Sequence, residues 1–189
     1  MSRTELARAL SIAGHPVVVL PGAVLAGVWR AAPPSVVRQA VLSAVLVGAA
    51  VMAYSAVQVR RGRWSHVDAS VHEERRQLNV FLAGLLGLVA GALWVTGRPW
   101  GVVAGVASAG LIVAVAHATR RWLKTSLHVA FATFAAAFLW PRVGGMLVLL
   151  ALAAAVAWSR LTLSRHTRLE VLAGCALGLA AGALFLVVR

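Results

Sequence analysis

The chain has 189 residues, 61% of them hydrophobic and only 12% charged, which excludes an ordinary water-soluble globular domain. Its formal charge of +13 sits on arginines in short connections between apolar runs. They form no long basic face interleaved with aromatics, which argues against nucleic acid and for an anionic lipid or a phosphate as partner.

Taken in order, apolar runs near the ~20 residues that cross a bilayer number seven. The first, Leu10–Trp29, holds His15, Pro16 and Pro21 and lacks a cleavage-site pattern, so it reads as a helix and not a signal peptide. A turn over residues 31–34 leads to Ala40–Val59. The next connection contains HVDASVHEERRQ, where Asp68, Glu73 and Glu74 lie beside Arg75 and Arg76, and reads as a solvated, salt-bridged loop. Val80–Thr96 and Trp100–Ala118 follow. The loop after them brings Lys124, Ser126 and His128 to the start of an apolar run, where backbone N–H groups at a helix N-terminus attract anions.

The fifth and sixth runs, Val129–Trp140 and Val143–Trp158, have only 12 and 16 residues. They either extend into their polar flanks or draw the neighbouring loops below the headgroups. A polar connection, SRLTLSRHTRLE, then leads into Val171–Val188. Tryptophans 29, 64, 94, 100, 122, 140 and 158 fall mostly at the ends of runs, as interfacial anchors do. Gly174/Gly178/Gly182, Gly87/Gly91 and Gly101/Gly105 repeat at four-residue spacing, which lets helix backbones approach closely. The lone Cys175 is read as a packing residue and rules out an intrachain disulfide.

The expected architecture is therefore an all-α integral membrane protein, a single domain over 1–189 with six to seven transmembrane helices. Seven spans put 13 of the 18 basic residues, with the N-terminus and loops 60–79, 119–128 and 159–170, on one face. By the positive-inside rule that face is cytoplasmic, in a cell membrane. Arginines retained for an anion site would inflate the count without setting orientation.

All five acids lie on the same face, and Glu170 is the only one after position 74. His166 precedes it by four residues, a spacing at which a helical carboxylate accepts a hydrogen bond from imidazole, fixing its tautomer and raising the basicity of the other nitrogen. A histidine so backed is a usable base or nucleophile. An ion pair of Glu170 with Arg160, Arg165 or Arg168 is the plainer alternative. His15, His66, His72 and His117 have no such company along the chain and read as packing or interface residues.

Ser159-Arg160, five residues, His166, three residues and Glu170, leading into VLAG, resembles the third signature, S-R-x5-H-x3-D, of the type 2 phosphatidic acid phosphatase superfamily, with glutamate for aspartate. TSLH at 125–128 resembles its P-S-G-H signature with Thr125 and Leu127 substituted, and Asp68 with Arg75 and Arg76 resembles part of K-x6-R-P. The likeness runs from about residue 60 to 185, the expected phosphatase-like core.

That resemblance implies a site formed by the three loops on one face. His166 would be the nucleophile that becomes phosphohistidine, Glu170 its orienting group, and His128 the general acid. Arg75, Arg160 and Ser126 would bind the phosphoryl oxygens. Because Asp68 stands where the family has lysine, Lys124 is assigned the missing cation. No metal and no cofactor is expected, since phosphoryl transfer here relies on positioning and positive charge. The implied activity is hydrolysis of a lipid phosphate or diphosphate such as an isoprenyl phosphate or phosphatidate. The same signatures are compatible with a phosphotransferase, and the substituted positions with a non-catalytic phospholipid binder.

Overall fold

The computed structural model describes every residue except 29–31, 68 and 70. The described residues form eight α-helices and no strand: α1 Arg3–Ala13, α2 Pro16–Val28, α3 Pro34–Arg60, α4 His72–Val95, α5 Trp100–Ala118, α6 Leu127–Ala135, α7 Val143–Thr162 and α8 Arg168–Val188. A short 3₁₀ turn at Ala136–Leu139 prolongs α6.

Five of these, α3, α4, α5, α7 and α8, are long and apolar enough to cross a membrane. The protein is thus a helical membrane protein with five candidate spans, or six, where hydropathy predicts six to seven, and the difference has two physical reasons. The first run is broken. Pro16 opens α2, a position where its missing N–H costs nothing, and the residue before a proline is disfavoured in the α region. The chain bends by 54° between α1 and α2, and only if that pair is one span does the count reach six.

The second reduction is the run at Leu127–Leu139, which is too short to cross alone at ~1.5 Å per residue. It is enclosed instead. Val129 to Ala137 are all buried, and Phe134 with Phe131, Ile112, Val113 and Phe185 forms the main core. The run at Val143–Trp158, by contrast, extends through Ser159 and Arg160 to Thr162 and reaches full spanning length.

One glycine stripe specifies this burial. A Cβ at Gly174 would lie 2.6 Å from the carbonyl oxygen of Ser126, and one at Gly178 would collide with the carbonyl of Ala130. A Cβ at Gly182 would press on Ala137 at 3.1 Å. The glycines therefore let α8 lie against the backbone of α6, as small residues do where lipid supplies no drive for helices to associate. Gly87, Gly91 and Gly101, which share the spacing, face open space.

The first turn of α4 and the connections 119–126 and 163–167 meet at one end of the bundle, where Arg75 bonds to Thr125 and faces His166. At the other end Arg142 Nη1 donates to the Ala26 carbonyl at 2.6 Å, and Trp100 donates to the carbonyl of Val188. Four of the tryptophans, 94, 100, 122 and 140, are exposed as anchors would be. Trp64 is not: it is buried, its ring lies edge-on to Tyr54, and its indole N–H donates to Gln77 Oε1 at 3.1 Å. Cys175 packs beside the buried cluster of Val129, Val156 and Val171.

Candidate functional site

The site is built outward from the start of α8. Thr167 caps the helix by accepting from the Glu170 N–H at 3.3 Å, and Glu170 Oε2 accepts from the Thr167 N–H at 3.0 Å. This reciprocal arrangement satisfies two otherwise orphaned backbone donors. The same Oε2 lies 3.0 Å from His166 Nδ1, so the cap that starts the helix also holds the imidazole. On its far side, His166 Nε2 faces Arg75 Nη1 at 3.4 Å. A guanidinium only donates. The pair of contacts therefore selects the tautomer with the proton on Nδ1, shared with Glu170, and the lone pair on Nε2.

Arg75 lies in the first turn of α4, not in a loop as hydropathy suggested, and its Nη2 donates to the Thr125 carbonyl at 3.1 Å. It thus ties the second connection to the third. A backbone bond from Ser126 N to the Glu170 carbonyl, at 3.1 Å, completes the junction. The connection before α4 is held by Glu74, which is buried and accepts from Ser65 N at 2.7 Å and Ser65 Oγ at 3.1 Å. Of the two described acids there, Glu73, bonded to Arg76 Nη2 at 2.7 Å, behaves as the solvated pair expected. Asp68 lies outside the described residues.

Ser126 is the N-cap residue of α6, yet its side chain makes no capping bond, and its buried Oγ has no partner among the described residues. His128 stands in the first turn of the same helix with Nε2 likewise buried and unpartnered. Arg160, Arg75 and His166 are all near enough to His128 to act on it electrostatically. Arg160 is buried near the end of α7, and its Nη1 donates to Ser11 Oγ at 2.9 Å. Its neighbour Ser159 donates to the Ala7 carbonyl at 2.8 Å, so that serine anchors α1.

His15 reads in the sequence as a packing or interface residue, and the residue it packs on belongs to the site. Its ring lies edge-on to that of His128, centroids 4.9 Å apart, and its Nδ1 accepts from Val17 N at 3.3 Å. No spacing in the chain connects residues 15 and 128; the only local sign was a histidine immediately before a proline.

Burial, and after it the charge of Arg75, push the His166 imidazole down to about 4, against the upward pull of its bond to Glu170. The ring is accordingly neutral at physiological pH, with Nε2 available. Burial and Arg75 also lower the Lys124 ammonium below its usual range. The cations around His166 are thus concentrated in a poorly solvated place.

Arg75, His128, Arg160 and His15 also line a cavity of about 540 Å³ that continues between α2, α3, α4 and α6. Its remaining walls are mainly apolar, including Leu20, Val51, Leu82, Phe131, Phe134 and Phe138. The volume falls within the ~300–1,000 Å³ usual for small-molecule sites. A small cleft on the other side of Arg75 is lined by Lys124, Thr125 and Arg120. No family model, curated protein or solved structure matches the chain.

Proposed function

We propose that the protein is a membrane-embedded, metal-independent phosphatase that hydrolyses a lipid phosphate or diphosphate through a phosphohistidine intermediate. The observation that carries this reading is the polarised His166: Nδ1 bonded to Glu170 at 3.0 Å, and Nε2 facing at 3.4 Å the guanidinium of Arg75, which itself lines a largely apolar cavity.

In this reading the phosphate is held by Arg75, Arg160, Lys124 and Ser126, whose unpartnered hydroxyl supplies a donor. Positive charge around the equatorial oxygens meets the main requirement of phosphoryl transfer. His166 Nε2 attacks phosphorus in line, the P–O bond to the leaving group breaks, and the electron pair departs on that oxygen. Glu170 stabilises the charge that develops on the imidazole. His128, protonated as the dianion enters beside it, gives its proton to the leaving oxygen. It then takes a proton from water, which attacks phosphorus and frees His166 with release of inorganic phosphate.

The direct test is purified protein in detergent with phosphatidate or a polyprenyl diphosphate, a chelator present throughout. Phosphate release by wild type, its loss in His166→Ala, and an acid-labile phosphoryl adduct on the wild-type chain are expected. Equal release by His166→Ala overturns the reading. A phosphorylated alcohol in place of inorganic phosphate, when an alcohol is supplied, reassigns the site to phosphotransfer.

A further inference from the structure

His15 starts α2 as an N-cap residue does. Its carbonyl accepts from the N–H groups of Val18 and Val19 at 2.8 and 3.0 Å, and its Nδ1 accepts from Val17 N at 3.3 Å. Pro16 follows at the first helical position, where no N–H is needed. The side-chain bond thus satisfies one of the donors that a helix start leaves orphaned. Capping also fixes the state of the ring. A nitrogen that accepts a hydrogen bond carries a lone pair, and a proton on Nδ1 would set a donor against the Val17 N–H. The cap therefore holds His15 in its neutral form, with the proton on Nε2.

That neutral ring meets His128. The two imidazoles lie edge-on, centroids 4.9 Å apart at 87°, and both line the large cavity beside Arg75 and Arg160. His128 Nε2 is buried with no hydrogen-bond partner among the described residues, so that atom does not fix the plane of its ring. The His15 ring packs against it instead. Arg160, Arg75 and His166 already act on His128 electrostatically. A neutral neighbour adds no further positive charge to a ring that has to take up a proton as the phosphate dianion arrives. Its orientation matters as much, because a proton donor works only within hydrogen-bond reach of the oxygen it serves, and a misplacement of ~1 Å can cost about 10²-fold.

We propose that His15 is a positioning residue for His128: the cap on α2 locks the first ring, and that ring holds the second in the plane from which it protonates the leaving oxygen. The inference rests on the phosphatase reading above and adds a residue that none of the three signatures contains.

The test is the full-length protein carrying His15→Asn. Asparagine is among the best N-cap residues and makes the same bond to the N–H two residues on, so the helix start is kept and the ring alone is lost. The unfolding temperature in detergent should therefore hold. The readout is kcat/KM, which covers the steps up to departure of the leaving group. It is compared on phosphatidate, whose leaving group is an alkoxide, and on para-nitrophenyl phosphate, whose phenolate departs without a proton. His128→Ala should lose at least ~10²-fold on phosphatidate and His15→Asn roughly tenfold, both with little loss on the aryl substrate. Adding His15→Asn to His128→Ala should cost nothing further, since both remove the same contribution. Equal losses on the two substrates, or additive losses in the double variant, overturn the proposal.

A second arm needs no turnover. In protein made with isotopically labelled histidine, the ring nitrogens of His128 are assigned by their loss from the NMR spectrum in His128→Ala, and His15→Asn should displace them. Signals that stay in place overturn the proposal whatever the kinetics. Displaced signals in a protein that hydrolyses neither substrate show that His15 sets the His128 ring, and the phosphatase reading alone falls.

Discussion

Replacing Arg75 with glutamine separates the electrostatic claim from the binding claim. Two unit charges 3.4 Å apart interact by about 1 kcal/mol in a water-like medium and about 5 kcal/mol at an effective dielectric constant of ~20. Burial is the larger cause of the lowered His166 value of about 4, and Arg75 comes next. Removing the cation recovers only part of the way back to the ordinary histidine range. About one pH unit is expected, equivalent to ~1.4 kcal/mol. The sign follows from charge: without a positive neighbour the ring binds a proton more readily, so its midpoint rises.

The assay is kcat/KM against pH, which reports groups of the free enzyme. Wild type should lose activity on the acid side near pH 4, and Arg75→Gln nearer pH 5. The substrate's own ionisation is common to both profiles and cancels in the comparison. The height of the profile will also fall, because Arg75 is assigned to the phosphate, but its midpoint does not depend on that loss. A limb that stays in place, or moves to lower pH, refutes the electrostatic reasoning.

Glu170→Gln keeps a residue able to complete the capping box and removes the carboxylate facing Nδ1, so activity should fall roughly 10²-fold with thermal unfolding in detergent little changed. Lys124→Ala should raise KM by roughly tenfold at nearly constant kcat; unaltered kinetics remove Lys124 from the phosphate site. Gly178→Ala drives a Cβ into the Ala130 carbonyl and should destabilise by about 1–3 kcal/mol, seen as a lower unfolding temperature. Gly87→Ala, facing open space, should be neutral or stabilise by up to ~1 kcal/mol.

Much of this organisation is legible in the sequence where the cause is local. The four-residue interval from His166 to Glu170 is enough to predict their contact once a helix begins nearby, and Thr167 supplies that beginning. The Gly174/Gly178/Gly182 stripe likewise announces a close helix crossing. What the spacing cannot show is the neighbour. Small residues permit approach without naming a partner, and so Gly87, Gly91 and Gly101 carry the same pattern with open space beside them. Trp64 misleads for a similar reason: an amphipathic ring at the end of an apolar run suits the interface, until Gln77, 13 residues on, takes its N–H. Arg75 and His166 are 91 residues apart, and only the tertiary fold sets their 3.4 Å contact.

The break in the first apolar run connects the reduced span count to the site itself. A buried arginine near membrane depth needs polar company, and part of what Arg160 receives comes from Ser11, on the helix that the break separates from α2. Ser159 binds the same helix through Ala7, and His15, at the break, meets His128. Had Leu10–Trp29 continued as one straight span, α1 could not bend away from α2 to bind the end of α7. The N-terminal segment lies wholly outside residues 60–185, yet it holds the side chains of Ser159 and Arg160. The junction gathers Arg75, His128, Arg160 and His166; the bend at Gly14 to Pro16 specifies what steadies two of them.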